Sequence, residues 1–248
     1  MSERIIVGRE GRLGRITLAA GRLNILGTSD VRALEQAVRS LGESPVVLLD
    51  AEGTSAFSAG MDIADHTRDR APEMLAAFGK MIAAFNETSS VIVAKVGAPA
   101  LGGGFEVVLL CDLAICSERA IFSLPEIKLA ALAPVACGVL PALIGRARAN
   151  DLILTGRRVD AQTALQWGVV TRLAAPDALD QAADELCQEL LSLSEDALRC
   201  CKRALRAGTI AESLRVYTDV LLPTDDAAEG IDAFQGGRAP QWSWSQHR

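Results

Sequence analysis

The sequence predicts an α/β fold finished by a layer of helices, and three observations carry that prediction. Short apolar runs alternate with helical periods through the first half, glycines cluster where one such run passes into an apolar helix, and the pattern from about Pro134 onward is helical. Arg15 to Ala19 reads as a strand, and Val31, Leu34, Val38 and Leu41 recur at helical spacing. Val46 to Leu49 is a short unbroken apolar run of the kind a buried strand shows. The rhythm continues through a helix from about Glu73 to Phe85, a strand from Val91 to Val96, a glycine turn, a helix over 104–110 and a strand near Asp112 to Cys116. Further on, Pro134 or Pro141 suits a first helical turn, Asp160, Ser194 and Thr224 are candidate N-caps, and Gly145, Gly156, Gly168 and Gly208 stand near helix ends. Helices are expected over 195–207, 211–221 and 225–235. Their apolar surface exceeds what so few connecting residues can cover, which predicts a homo-oligomer.

Composition removes several function classes. Half of the 248 residues are apolar, enough for a full core. The net charge is −6 and no run of Lys or Arg exceeds a pair, so electrostatic attachment to nucleic acid or anionic lipid is not expected. Met1 to Arg4 lack a basic stretch leading into an apolar one, and no segment reaches the roughly eighteen apolar residues of a membrane span, so a cytoplasmic protein is expected. Six cysteines form no C-x-x-C and read as reduced thiols. With only His66 and His247, neither a His-rich metal site nor a Ser-His-Asp triad has its parts, and no metal or cofactor is expected. No G-x-G-x-x-G and no P-loop occurs, so the glycines serve something other than a nucleotide.

The chemistry concentrates in Ala100-Leu101-Gly102-Gly103-Gly104-Phe105-Glu106, followed twenty residues after Glu106 by Pro125-Glu126-Ile127. Three glycines opening a helix leave peptide N–H groups uncovered at its positive end, where a ligand oxygen can approach. Glu106 falls in the first turn of that helix, inside the apolar run of Phe105 and Val107 to Leu110, where nothing nearby in sequence neutralises it. A carboxyl so placed is a candidate for acid/base work.

These pieces, in this order, resemble the crotonase or enoyl-CoA hydratase/isomerase superfamily from about Asn24 to Trp242. The resemblance rests on Asn24-Ile25-Leu26, Val46 to Asp50, Ala56-Phe57-Ser58-Ala59-Gly60-Met61-Asp62, Ala100 to Glu106, Phe122 to Glu126, Leu154-Thr155-Gly156-Arg157 and Trp167-Gly168-Val169-Val170. It implies a crotonase-like spiral of ββα repeats over residues 1–190, with a helical oligomerisation region over 191–248 that builds a trimer or a dimer of trimers. It also implies an acyl-CoA substrate, with coenzyme A as part of that substrate, and an oxyanion hole made by the backbone N–H groups of Met61 and Gly103. Ala59, Gly60, Met61, Asp62 and Gly103 are implied as substrate-binding. Glu106 and Glu126 are implied as the catalytic pair, the first taking a proton from the attacking water and the second positioning it and delivering a proton to carbon. Retention of both glutamates favours a hydratase. An isomerase with one glutamate as proton shuttle, and a crotonase-like protein that only binds, are the alternatives.

Finer features resemble the cyclohexa-1,5-diene-1-carbonyl-CoA hydratases: Ile127 to Ala136, Leu48 to Gly53, His66 and Thr224 to Ile231. In that segment Ala130 and Pro134 replace glycines of ordinary hydratases, and Pro134 has no N–H to offer the catalytic water. Gly237 stands where many relatives carry a Lys for a neighbour's CoA, with Arg238 one place along as its substitute. Other residues read as structural. Ser58 lacks a nucleophile's setting, Trp167 packs a helix rather than stacking on adenine, and His66 is an exposed loop histidine. Asp62 is either a ligand contact or a cap of the next turn, with capping preferred. Arg157-Arg158 and Asp225-Asp226 are expected in solvent, with Arg157 free to meet a carboxylate.

Overall fold

The computed structural model describes residues 4–53 and 55–245; Met1 to Glu3 and His247, which entered the reading above, lie outside them. A hairpin of β1 (Ile5–Glu10) and β2 (Leu13–Leu18) opens the chain. Four turns of one unit follow, each a long strand, a short strand and a helix. They are β2, β3 (Ile25–Leu26) and α1 (Thr28–Ser40); β4 (Val46–Ala51), β5 (Gly60–Met61) and α2 (Ala71–Glu87); β6 (Val91–Val96), β7 (Ala100–Leu101) and α3 (Gly103–Leu110); and β8 (Leu113–Ser117), β9 (Ile121–Ser123) and α4 (Pro134–Ile144). Next come α5 (Arg146–Thr155), β10 (Arg158–Asp160), α6 (Ala161–Trp167), β11 (Arg172–Ala174) and α7 (Leu179–Leu191). The helical layer is α8 (Glu195–Ala207), α9 (Ile210–Val216) with a π-helical turn over Tyr217–Leu221, and α10 (Asp225–Gln235). This is the ββα spiral.

The long strands form one sheet in the order β1-β2-β4-β6-β8-β11, parallel except for the opening hairpin. Its two faces explain why Val46 to Leu49 reads as unbroken apolar sequence. Val47 and Leu49 point to the larger core with Ile16, Ile92, Met81 and Phe85, whereas Val46 and Leu48 point to a smaller one closed by Leu179, Ala183 and Leu186 of α7. The short strands form a second layer, β3 beside β5 and β9 between β7 and β10, bridged by Ser58 and Ala100. That layer carries the site.

The region beyond Pro134 is not wholly helical. β10 pairs antiparallel with β9, and β11 pairs parallel with β8. Strands of three residues are too short for their alternation to register in sequence, and an existing sheet edge recruits them. Strand β1 escaped notice for a related reason, since only Ile5 of its six residues is fully buried. The helix ends are as the sequence predicts. Asp160, Ser194 and Thr224 accept the third-residue N–H of α6, α8 and α10 at 2.7, 3.1 and 3.2 Å, each worth about 1 kcal/mol. Pro134 opens α4, whereas Pro141 lies inside it.

Helix α8 is anchored by Lys202, whose buried ammonium donates to Asp112 at 2.6 Å and to the Ser90 carbonyl. Arg206 caps the end of α2 through the carbonyls of Phe85 and Thr88. The expectation that Asp226 is solvated fails. Its buried carboxylate accepts the Ser194 hydroxyl at 2.6 Å and the Ser243 N–H at 2.7 Å, because the segment after α10 folds back over the turn between α7 and α8. There Trp242 donates to the Ser192 carbonyl and Trp244 stacks on Arg12.

Candidate active site

Strand β5 brings Met61 to the start of α3. The Asp62 N–H is spent on the Leu26 carbonyl at 2.9 Å and the Gly60 N–H on Ser58 Oγ at 3.1 Å. Strand alternation turns the Met61 N–H to the opposite side. A Cβ built on Gly103 would stand 3.5 Å from Met61 N, and one on Gly60 would stand 3.3 Å from Gly103 N, so the two peptide groups share one corner. Gly103 is the first residue of α3, so its N–H has no acceptor within the helix. The loop is braced from beneath by buried Asn24, which accepts from Ala20 N–H at 2.7 Å, donates to the Glu52 carbonyl at 3.1 Å, and takes the Ser58 hydroxyl on its own carbonyl. Ser58 is thus structural.

The glycines are there because neighbours come close. At Gly104 a Cβ would lie 2.6 Å from the Ser58 carbonyl oxygen, and at Gly103 it would lie 2.8 Å from Met61 Cγ. At Gly102, where φ is +55°, it would lie 2.6 Å from Glu126 Oε1. The turn therefore seats the Glu126 carboxylate directly against the backbone that leads to Gly103.

Glu106 is 3% exposed, and Oε1 accepts the N–H groups of Val135 at 2.7 Å and Ala136 at 3.2 Å. Those donors are the free N–H groups of the first turn of α4, twenty-nine and thirty residues downstream. Pro134 has no N–H to contribute; it starts the helix whose next two amides hold Glu106. Burial pushes the Glu106 carboxyl up to about 7, the Glu126 charge adds to the rise, and the two amides oppose it. Glu126 stands on a 3₁₀ turn, Pro125–Leu129, half-buried, with Oε2 buried and without a hydrogen-bond partner. Burial raises this carboxyl too, and its own backbone N–H works against that rise.

The predicted residues converge: Met61, Gly103, Glu106 and Glu126 meet where β5, α3 and the 3₁₀ turn come together. Asp62 caps the 3₁₀ turn Ile63–His66, its Oδ1 accepting from Ala64 N–H at 2.9 Å. Ala59 lies on the same loop, its N–H held by the Leu23 carbonyl at 2.8 Å. Arg157 meets Asp151 at 2.5 Å, and Trp167 packs on the core beneath Arg148 and Arg157. Arg238 is committed within its own chain to Glu229, at 2.6 and 2.8 Å, which counts against its standing in for the missing lysine. Sequence reading missed the Val135 and Ala136 donors, for which the proline opening a helix was the available signal. It also missed Cys137, a half-buried thiol that burial and both glutamates hold protonated.

A glycine-lined pair of backbone donors beside two carboxyls invites comparison with known enzymes, and the Enoyl-CoA hydratase/isomerase family model matches residues 9–245. The chain belongs to that family. Within the enoyl-CoA hydratase/isomerase family it is similar to the carnitinyl-CoA dehydratase of Salmonella arizonae, 35% identical over 98% of this chain and 99% of the relative. It superposes on an enoyl-CoA hydratase subunit I from Geobacillus kaustophilus with TM-score 0.90 at 31% identity, covering 97% and 98% of the two chains. On DspI of Pseudomonas aeruginosa the TM-score is 0.91 at 28% identity, covering 97% of each. The protein is therefore an enzyme of the hydro-lyase kind with a crotonase-like fold. The finer expectation of a cyclic dienoyl-CoA hydratase meets curated relatives with a different name, carnitinyl-CoA dehydratase. No helix among the described residues is long and apolar enough to cross a membrane.

Proposed function

We propose that the enzyme adds water across the double bond of an α,β-unsaturated acyl-CoA. The observation that carries this reading is the pair of carboxyls at the glycine turn, one clamped by two amides and held near neutrality, the other with a buried oxygen left unpartnered. Hydration needs a base for the water and an acid for carbon in the same instant, and two coupled carboxyls sharing one proton provide both. As water adds, negative charge develops on the thioester oxygen, and the N–H groups of Met61 and Gly103 receive it in the corner they share. Ala59, Gly60 and Asp62 complete the backbone wall on which the thioester rests. In this scheme Glu106 and Glu126 exchange the acid and base roles with the direction of reaction.

The acyl group is taken to be uncharged and cyclic. Ile63, Ile127, Leu129 and Leu132, exposed on the segments that carry the site, are aliphatic, which favours a ring such as cyclohexa-1,5-diene-1-carbonyl over the quaternary ammonium of a carnitinyl group. The helical layer over 191–248 serves assembly into a trimer or a dimer of trimers, since Leu205, Ile210, Leu214 and Phe234 are exposed apolar side chains on α8 to α10. Mass spectrometry of crotonyl-CoA, cyclohexa-1,5-diene-1-carbonyl-CoA and carnitinyl-CoA after incubation tests the function. Gain of one water by an enoyl-CoA, abolished in Glu106→Gln, is the expected result. An unchanged mass with a shifted double bond would make the enzyme an isomerase, and loss of water from carnitinyl-CoA alone would reassign the acyl group.

A further inference from the structure

The N–H of Met61 belongs to a peptide that a glycine leaves free to turn. Gly60, just before it, has a φ of +102°, and β5 is only two residues long, paired with Ile25 and Leu26 of β3. Upstream, the Gly60 N–H is fixed on Ser58 Oγ. Downstream, the chain winds into the 3₁₀ turn Ile63–His66, stiffened by the Asp62 cap on Ala64 and by the Asp65 N–H on the Asp62 carbonyl at 3.0 Å. That turn is tied to a different element. Asp65 Oδ2 accepts both the N–H and the hydroxyl of Thr28, each at 2.8 Å, at the start of α1, while its other oxygen faces Arg70 at 3.8 Å. The Thr28 N–H is one of the donors that a first helical turn leaves without an internal partner, and these bonds hold the Asp65 carboxyl below its usual pKa. The junction that Asp65 grips is itself braced. Arg4 donates to the Ile25 carbonyl at 2.8 Å and pairs with Asp30 at 3.0 Å, and buried Asp30 accepts the Gly27 N–H at 3.0 Å.

We propose that Asp65 is a positioning residue for the oxyanion corner, holding the segment that leaves Met61 so that its N–H keeps its place beside that of Gly103. Two parallel segments, β3 into α1 and β5 into the 3₁₀ turn, are paired at one end by a two-residue ladder and bracketed at the other by one carboxylate. Gly103 is held by its own helix, so Met61 is the donor that needs the bracket. Without it the Met61 peptide drifts while the site stays open to ligand, a displacement that costs catalysis more than binding. The proposal rests on the reading that the thioester oxygen sits between the two N–H groups.

The test is isotope-edited infrared spectroscopy of butyryl-CoA labelled with carbon-13 at the thioester carbonyl, a saturated ligand that cannot be hydrated. It is bound to the wild type, Asp65→Ala, Asp65→Asn and Thr28→Val. Binding to the wild type should lower the carbonyl stretch. The lowering should shrink in D65A, shrink less in T28V, which keeps the Thr28 N–H, and persist in D65N, whose amide oxygen still accepts from Thr28. In parallel, kcat for enoyl-CoA hydration should fall roughly tenfold in D65A with KM within about twofold, less than the hundredfold to thousandfold that removing an oxyanion donor costs. A stretch equal to that of the wild type in D65A, or in T28V where D65A does not fold, overturns the proposal. An equal loss in D65N and D65A overturns it too, because the bonds to Thr28 are then not the cause. A wild-type stretch unmoved from that of free butyryl-CoA removes the oxyanion reading and the role of Asp65 with it, whereas absence of hydration beside a lowered stretch removes the hydratase reading alone.

Discussion

Glu106 and Glu126 arrive at the same few ångströms of space on opposite kinds of support. Glu106 is sealed in the first turn of an apolar helix and gripped through one oxygen by the start of a second helix. Glu126 stands on a single 3₁₀ turn at the rim, pressed against a glycine, with one oxygen unpartnered. Two identical side chains are thereby made different by their surroundings. The sealed one has a strongly displaced pKa and two amides on one oxygen, and the open one has a buried oxygen with no partner. An acid/base pair needs that inequality, since a proton shared evenly commits to neither direction.

The sharpest way to break the comparison is to remove the sealed carboxyl. Glu106→Gln should lower kcat by about a hundredfold to ten-thousandfold, measured on the enoyl-CoA that gains water. The same variant should fold more stably at neutral pH. A carboxyl whose folded-state pKa is raised binds its proton more tightly when folded, so its contribution is fully present below pH about 4.5 and is lost as pH rises through about 7. That displacement corresponds to about 3 kcal/mol at most, visible as a higher urea midpoint for E106Q at pH 8 that converges on the wild type at pH 4. Glu126→Gln, at the half-buried site, should gain less.

A Gly102→Ala substitution attacks the open support instead. Its methyl would fall 2.6 Å from Glu126 Oε1 at a φ of +55°, so the carboxylate must swing away. About 1–2 kcal/mol of stability should go with it, together with activity, and the Glu106 titration should move down as the Glu126 charge leaves its side. The smallest effect concerns Cys137, which both glutamates hold protonated. Its alkylation by iodoacetamide at pH 7 should lag behind that of exposed Cys201 and quicken a few-fold at most in E106Q.

Much of this site was legible in the sequence because its parts are punctuated. Glycines that admit no Cβ, a glutamate inside an apolar run and a proline before a second glutamate are all local signals, and the strands and helices that carry them alternate with clear periods. What stayed hidden is what acts across distance. The amides of Val135 and Ala136 belong to any helix start, and nothing in residues 134–136 says that the groups they hold lie on another helix. The burial of Asp226 depends on Ser243 returning from the end of the chain, and the three-residue strands depend on an edge that is already formed. Pro134 shows the cost of reading a residue by what it lacks. Its missing N–H mattered less than the two N–H groups it starts.

The stacking of Trp244 on Arg12, with the guanidinium carbon 3.8 Å from the ring centroid, has a consequence for how the molecule comes apart. Arg12 sits at the turn of the opening hairpin and also reaches the Leu191 carbonyl and Glu195, so the first strands, the turn before α8 and the segment around Trp244 form one buckle. Fraying of the C-terminal segment then loosens the hairpin turn, and hydrogen exchange at the turn end of β1 should rise together with exchange at Ser243 when the buckle is cut.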